Sequence, residues 1–272
     1  MDKPNSMRFS DPCAARFAKG EVALGSFVFT PDAATTEILA GAGFDYAVID
    51  LEHAPLSIGD ILSHARAADA AGISCWARVG YAEPPEIGRI LDTGVQGLIM
   101  SHFGEDLDQS RRLLDAFHYP PAGSRGTCSG VRGLRYQSDD LNAEIAEANA
   151  RAFSIGLIED AAVVDRIDEV LELKGLDAVM AGGAGDLSAS MGLHGQGSHP
   201  RVRAAGVRII ERAKARGLKA GVYLGELEGA EFWRDVGVDF YAYSIDYKVL
   251  AKAYRAARQS LAGLTPAGCS PV

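Results

Sequence analysis

Short apolar runs alternate with runs of helical period along most of this chain. Each apolar run has the length of one strand, and most are apolar on both faces, which is typical of buried parallel strands. The predicted strands are Val22–Phe29, Tyr46–Leu51, Ile73–Val79, Gly97–Met100, Phe153–Ile158, Ala178–Ala181, Lys219–Leu224 and Phe240–Ser244. A helix-like run follows each strand, and this rhythm predicts an α/β fold, a closed (β/α)8 barrel rather than an open doubly wound sheet.

One domain accounts for the repeating part of the chain. The helix-like runs are Asp32–Ala40, Ile58–Ala71, Pro84–Asp92, Leu107–Phe117, Leu141–Ala152, Val163–Leu173, Val202–Arg216, Leu227–Val236 and Tyr247–Leu261. We expect an N-terminal extension over residues 1–20, with a short helix at Pro12–Lys19 that is a tail or a cover for the barrel bottom. The catalytic barrel spans 21–262, and 263–272 form a flexible tail.

The charge of the chain indicates which kinds of partner it does not bind. The chain has 272 residues and a net charge of −9, without a Lys/Arg-rich run, so we expect neither nucleic acid nor an anionic membrane as a partner. The N-terminus lacks the apolar core of a secretion signal. The four cysteines have no metal-ligand or CxxC spacing, which favours free thiols and a cytoplasmic location.

Chemistry-bearing residues recur just after the predicted strands. Because the C-terminal ends of the strands in a parallel barrel share one face, these side chains should converge on one rim. They include Asp50, Glu52, His53, Arg78, Ser101, His102, Glu159, Asp186 and Ser188.

Glu159 and Asp186 follow neighbouring strands and suggest a metal site. Two convergent carboxylates require a cation or a shared proton, and a hard divalent metal is the simplest solution. The alternative is structural: Glu159 caps the following helix and Asp186 ends a turn.

His53 and Arg78 are the other candidates for chemistry. Histidine is the usual proton carrier of proteins near neutral pH, so His53 could move a proton, with Asp50 or Glu52 fixing its tautomer; the alternative is that His53 bonds only backbone. Arg78 stands in an otherwise apolar strand and needs an anionic partner, either a substrate carboxylate or enolate or a structural acid.

Two loops and one helix end carry weaker signals. The glycine-rich run 182–185 would let backbone N–H groups approach an anion. Within the irregular segment from His118 to Ser138, the loop Tyr119–Gly126 is expected on the catalytic rim, where Arg125 could reach a substrate or could equally pin the loop. Asp92 ends a helix before a glycine, and the residues alone favour a capping role.

Several motifs together resemble the HpcH/HpaI aldolase family. They are GAGFDYAVIDLEHAP, WARV, ILDTGVQGLIM, YPPAGSRG, IGLIED and GDLSASMG, in this order over about residues 20–250. The resemblance implies a (β/α)8 fold, often with the last helix swapped between subunits of a trimer of dimers. We therefore expect a homo-oligomer.

The resemblance also implies roles at the site. Glu159 and Asp186 would hold Mg²⁺, Mn²⁺ or Co²⁺, His53 would be the catalytic histidine and Arg78 the enolate-stabilising arginine. Asp92 would act with the histidine of a neighbouring subunit, which replaces the capping role. The resemblance further implies that backbone at Gly185 and Asp186 holds the pyruvate carboxylate. From the residues themselves we add Asp50 to the catalytic set and expect Gly185, Leu187, Ser188, Arg125 and His102 to bind the substrate.

The implied activity is cleavage of a 4-hydroxy-2-keto acid to pyruvate and an aldehyde through a metal-stabilised enolate, as in the breakdown of aromatic or sugar acids. Alternatives are a macrophomate-synthase-like or oxaloacetate-decarboxylating member, and a catalytically silent barrel that binds a keto acid. A non-enzyme would not need His53, Arg78, Glu159 and Asp186 together.

Three departures from the family pattern concern the substrate. Ser101-His102-Phe103 stands where the family has an apolar Pro-Met-Val, and the added imidazole indicates either a different aldehyde or reaction, or a tolerated surface change. Leu157 replaces a substrate-contacting glutamine. The loop before Asp186 is one residue longer than the family's.

Overall fold

The chain forms a closed barrel of eight parallel strands that pair in sequence order. The computed structural model describes residue 9 and residues 11–136, 140–183 and 185–262. The strands are β1 Ala23–Val28, β2 Tyr46–Asp50, β3 Ser74–Val79, β4 Gly97–Met100, β5 Phe153–Ile158, β6 Ala178–Ala181, β7 Lys219–Leu224 and β8 Phe240–Ile245. The predicted fold is confirmed, and all eight predicted strands are present with shifts of at most about two residues at their ends.

Helices cover the outside of the barrel. They are α1 Pro12–Lys19, α2 Ala34–Gly41, α3 Ile58–Ala71, α4 Pro84–Leu91, α5 Leu107–Asp115, α6 Leu141–Arg151, α7 Ala161–Asp165, α8 Ile167–Leu171, α9 Asp186–Ser190, α10 Pro200–Ala215, α11 Ala230–Val236 and α12 Asp246–Ala262. The single helix predicted over 163–173 is wrong, because Arg166 leaves the helical conformation and separates α7 from α8. Its guanidinium donates to the carbonyls of Gly104 and Glu105.

Large rings fill the barrel interior above glycines on the neighbouring strands. Tyr46 and Trp76 stack with ring centroids 3.9 Å apart. Gly25 is paired in register with Tyr46, and a Cβ on Gly25 would lie 2.1 Å from that ring. The same relation joins Gly97 with Trp76, where the distance would be 2.6 Å. In each pair a large ring fills the space that the glycine on the neighbouring strand leaves open. The lower barrel is therefore a packed core and not a channel.

Helix α1 covers the bottom of the barrel, as one of the two sequence interpretations had it. The Phe17 ring lies 5.6 Å from that of Phe153 and 6.4 Å from that of Phe240, at the starts of β5 and β8. Arg16 donates from Nε to Asp45 at 2.5 Å, which ties the helix to the residue before β2. None of the described helices combines the length and apolar content that a bilayer crossing requires.

The segment after α5 does not lie on the catalytic rim of its own chain, so that expectation was wrong. A helix of a βα unit runs back toward the strand starts, and the segment follows α5 rather than a strand. The N–H of Ser124 donates to the carbonyl of Asp115, and the N–H of Gly133 to that of Asp92 at the end of α4. Residues 137–139 of this segment and the tail 263–272 lie outside the described residues.

Candidate active site at the carboxyl ends of the strands

Asp50 organises the turn that follows β2. It is fully buried, and its Oδ1 accepts hydrogen bonds from the backbone N–H groups of Glu52 at 2.7 Å and His53 at 2.8 Å. Its Oδ2 accepts from Arg78 Nε at 2.7 Å and also from Arg78 Nη2. The two residues are partners in the β2–β3 register. Asp50 therefore fixes both the arginine and the backbone that carries the histidine.

Arg78 is held from three sides. Besides the fork on Asp50, its Nη1 lies 3.3 Å from Glu52 Oε2, and its guanidinium stands 4.7 Å above the centre of the Phe27 ring. A guanidinium has more N–H groups than these contacts use, so donors remain for an anionic ligand. The two structural acids compensate the charge, and a substrate oxygen would add to them.

His53 projects from the turn into solvent. Its side chain is 57% exposed, and Nε2 lies 3.6 Å from Glu52 Oε2. Of the two carboxylates that could orient the imidazole, Glu52 is the one beside it, because Asp50 is engaged with Arg78 and backbone. A cleft of about 350 Å³ is lined by Glu52, His53, Tyr81, Glu86 and His102, among others.

Three side chains converge where β2, β4 and β5 end. One potential ligand atom each from Glu52, His102 and Glu159 lies within 4.8 Å of the other two. The backbone N–H of His102 donates to Glu159 Oε1 at 3.1 Å, and Ser101 Oγ donates to Glu52 Oε2 at 2.6 Å. Within the described part of the chain, this is the group with the composition and spacing of a metal site.

The surroundings of Glu159 disfavour the negative charge of its carboxylate. Burial, followed by the negative charges of Glu52 and Asp186, raises the pKa of Glu159 to about 7, against the opposing hydrogen bond and charge of His102. The pKa of His102 is also raised: burial opposes its charge, but Glu105, Glu159 and Glu52 together outweigh that effect. A divalent cation is the chemical group that this acidic donor set fits.

Cation binding should therefore depend on pH. The ligand form of Glu159 is the carboxylate, so below pH 7 a proton competes with the cation, and we expect the apparent Mn²⁺ affinity to fall by up to about tenfold per pH unit. Titration calorimetry between pH 5.5 and 8.5 measures this. An affinity that is flat from pH 8 to pH 6 would contradict the prediction.

Asp186 and its neighbours form the next part of the rim. Asp186 is exposed at the first position of α9, near enough to Glu159 to raise its pKa. The Leu187 and Ser188 side chains are buried; Ser188 Oγ donates to the carbonyl of Gly185 at 2.9 Å and accepts from the N–H of Gly195 at 3.2 Å. Contacts of residues 187 and 188 with a substrate would thus come from their backbone. Ala184 lies outside the described residues.

Leu157 lies inside the barrel, two residues before Glu159. Its side chain is 5% exposed and belongs to the apolar cluster that fills the interior. The position where a glutamine would offer an amide therefore offers only apolar surface below Glu159.

Asp92 and Arg125 form a separate pair away from this rim. Arg125 Nη2 donates to Asp92 Oδ1 at 2.7 Å, and the guanidinium stands 4.4 Å above the Tyr119 ring. The Arg125 side chain is 3% exposed, whereas Asp92 is 28% exposed at the end of α4. Within one chain, helix α4 carries Asp92 away from His53, so the two could meet only between subunits.

Two residues of the site were not singled out from the sequence. Tyr81 stacks on the His102 ring with centroids 4.4 Å apart, and Glu105 Oε1 lies 3.0 Å from His102 Nδ1. The available signal was spacing: Tyr81 stands three residues after Arg78, and Glu105 three residues after His102. Such spacings are too common to carry an assignment alone.

A family profile, curated relatives and solved structures all relate this chain to aldolases. The profile described as HpcH/HpaI aldolase/citrate lyase matches residues 24–253. A hydroxypyruvate/pyruvate aldolase of Paraburkholderia phytofirmans is 31% identical over 259 residues, which cover 93% of this chain and 98% of the relative. A 4-hydroxy-2-oxo-heptane-1,7-dioate aldolase of Escherichia coli is 30% identical over 243 residues, 89% of this chain and 91% of the relative. The crystal structure of an HpcH/HpaI aldolase from Desulfitobacterium hafniense superposes with a TM-score of 0.86 at 25% identity, covering 94% of this chain and 98% of the other.

Proposed function

Because the chain belongs to the HpcH/HpaI aldolase/citrate lyase family, we propose that it is a metal-dependent aldolase that cleaves a 4-hydroxy-2-keto acid to pyruvate and an aldehyde. The observation that carries the proposal is the convergence of Glu159 and Glu52 beside Arg78 and His53 at the carboxyl ends of neighbouring strands. An acidic pocket that would hold a divalent cation, next to a fixed guanidinium and a solvent-facing imidazole, suits a keto acid, whose negative charge increases during reaction.

The cation site of this proposal is built around Glu159. Glu159 and Asp186 are the ligands that the family resemblance supplies, and Glu52 and His102 are the groups nearest to Glu159 by contact. Mg²⁺, Mn²⁺ and Co²⁺ all accept carboxylate oxygen. When bound, such an ion supplies a Lewis acid that polarises the keto group.

Arg78 stabilises the charge that develops on the keto oxygen. Its guanidinium is already oriented by Asp50 and Glu52, so little reorganisation is needed when the enolate forms. The same preorganisation makes Asp50 a positioning residue, because its carboxylate is fully buried and contacts the arginine rather than solvent.

His53 moves the proton of the 4-hydroxyl group during carbon–carbon cleavage. Its exposed ring lies beside Glu52, and the negative charge of this carboxylate stabilises the imidazolium that forms when His53 takes up the proton. Asp92 joins this step from a neighbouring copy in a homo-oligomer, with Arg125 holding the carboxylate in place. The backbone at Gly185 and Asp186 binds the substrate carboxylate.

Exchange of the pyruvate methyl protons in D₂O tests the proposal directly. We expect the wild-type protein with Mg²⁺, Mn²⁺ or Co²⁺ to exchange the protons, as followed by NMR, and excess EDTA to stop the exchange, because every reaction proposed for the site passes through the pyruvate enolate and reversible protonation of that enolate exchanges the protons. Full exchange in EDTA would remove the metal from the mechanism. No exchange with any of the three ions would favour the silent keto-acid-binding barrel.

Two of the departures, Leu157 and His102, favour a second candidate within the same chemistry, an oxaloacetate-decarboxylating or macrophomate-synthase-like reaction. Leu157 offers apolar surface where a glutamine would contact substrate, and His102 adds an imidazole. A panel of aldehydes with pyruvate, run beside oxaloacetate, separates the two: carbon–carbon bond formation supports the aldolase, and pyruvate from oxaloacetate alone supports the decarboxylase.

A further inference from the structure

We propose that His102 is a nitrogen ligand of the divalent cation, and that this chain therefore prefers Co²⁺, Ni²⁺ or Zn²⁺ to Mg²⁺. The inference rests on the proposed function, because it extends the cation site built around Glu159. His102 belongs to the Ser101-His102-Phe103 sequence that stands in place of the family's Pro-Met-Val. The proposed consequence of this difference is a changed metal preference.

The backbone of His102 places the imidazole at the site. The residue has a φ of 55°, in the left-handed region, and its N–H donates to Glu159 Oε1 at 3.1 Å. A left-handed conformation is uncommon for residues other than glycine, so the surrounding contacts must hold it. The hydrogen bond to Glu159 fixes the imidazole beside this carboxylate.

The spacing of the donor atoms suits one shared ion. His102 Nε2 lies 3.4 Å from Glu52 Oε1, and one donor atom each of Glu52, His102 and Glu159 lies within 4.8 Å of the other two. Two ligands about 2.1 Å from one ion lie roughly 3.0 to 3.4 Å apart at octahedral or tetrahedral angles, so Nε2 and Glu52 already have the spacing of two ligands of one ion.

Two further contacts orient the ring for ligation through Nε2. Glu105 Oε1 lies 3.0 Å from Nδ1, and a carboxylate there holds the proton on Nδ1 and leaves the Nε2 lone pair for a metal. Tyr81 stacks on the ring with an interplanar angle of 4°, which fixes its plane. Nε2 thereby faces Glu52, on the side of the ring away from Glu105.

The nature of the donor decides the preference among ions. Mg²⁺ binds oxygen ligands almost entirely, whereas imidazole nitrogen suits Co²⁺, Ni²⁺ and Zn²⁺. A purely ionic role for His102, as a cation among three acids, would give no such selectivity. The Co²⁺/Mg²⁺ affinity ratio and the magnetic coupling of the metal to imidazole nitrogen therefore distinguish a His102 that binds the ion from one that only pairs with the acids.

The experiment compares the wild type with His102→Asn and His102→Gly, both of which suit a left-handed backbone. His118→Asn is the matched control, because His118 acts electrostatically on Asp177 at the opposite, N-terminal end of β6. Calorimetry gives the ratio of Co²⁺ to Mg²⁺ affinity, and electron spin echo modulation of the Cu²⁺- or Mn²⁺-loaded protein reports coupling to imidazole nitrogen.

We expect the Co²⁺/Mg²⁺ affinity ratio to fall at least about tenfold in both His102 variants, with loss of nitrogen coupling, and to stay unchanged in His118→Asn. Retained coupling in both variants, or an unchanged ratio, overturns the inference. Pyruvate exchange with Mg²⁺ tests the proposed function separately: exchange by the wild type, together with an unchanged Co²⁺/Mg²⁺ ratio in the His102 variants, would leave the aldolase standing and remove only the ligand role of His102.

Discussion

Glu159→Gln should abolish tight Mn²⁺ binding and reduce metal-dependent exchange of pyruvate protons by at least about 100-fold. The amide keeps the shape of the side chain and can still accept the N–H of His102, which lies 3.1 Å from Oε1. What is lost is the negative charge of a nearly buried ligand. Calorimetry measures the first effect, and NMR in D₂O the second.

Glu169→Gln is the matched control for this variant. Glu169 is an exposed glutamate on α8 and lies outside the cluster of Glu52, His102 and Glu159. It should bind metal and exchange pyruvate protons as the wild type does. If Glu159→Gln retained wild-type exchange while folding normally, Glu159 would not be a metal ligand and the proposed aldolase mechanism would fall.

Arg78→Leu should destabilise the protein by about 3–5 kcal/mol and reduce proton exchange by about 100- to 1,000-fold. The stability effect arises because Asp50 is fully buried and would lose Arg78, its cationic partner among the described residues, leaving an uncompensated carboxylate. The exchange effect arises because no guanidinium would face the developing enolate. Denaturant unfolding measures the first, and NMR the second.

A second substitution separates these two roles. Adding Asp50→Asn to Arg78→Leu removes the buried charge, so stability should recover in part while exchange remains low. Arg66→Leu, at an exposed position of α3, should change neither quantity. Recovery of exchange together with stability would reduce Arg78 to a structural residue.

The barrel was predictable because its information is local. Buried parallel strands are short apolar runs, and Phe153–Ile158 and Ala178–Ala181 were predicted with their observed bounds. Helix α3 was predicted over Ile58–Ala71 with its observed bounds, and in the structure a capping box of Ser57 with Asp60 and the left-handed Gly72 define its two ends.

The assembly of the site was only partly predictable. Topology alone indicated that the residues after β2, β3 and β5 share one rim, but not which carboxylate would lie beside which histidine. The contact of His102 with Glu159 depends on a left-handed residue and on side-chain rotamers, and neither leaves a periodic signal. The placement of Arg125 failed for another reason: a long loop was assigned to the rim by its length, although it follows a helix.

The rings that lie over glycines restrict how this protein can evolve. Any side chain at Gly25 or Gly97 would require a smaller residue in place of Tyr46 or Trp76, so such positions can change only in pairs. Single mutations are less restricted at the opposite mouth, where Tyr81 faces water. New specificities can arise there while the barrel foundation stays the same.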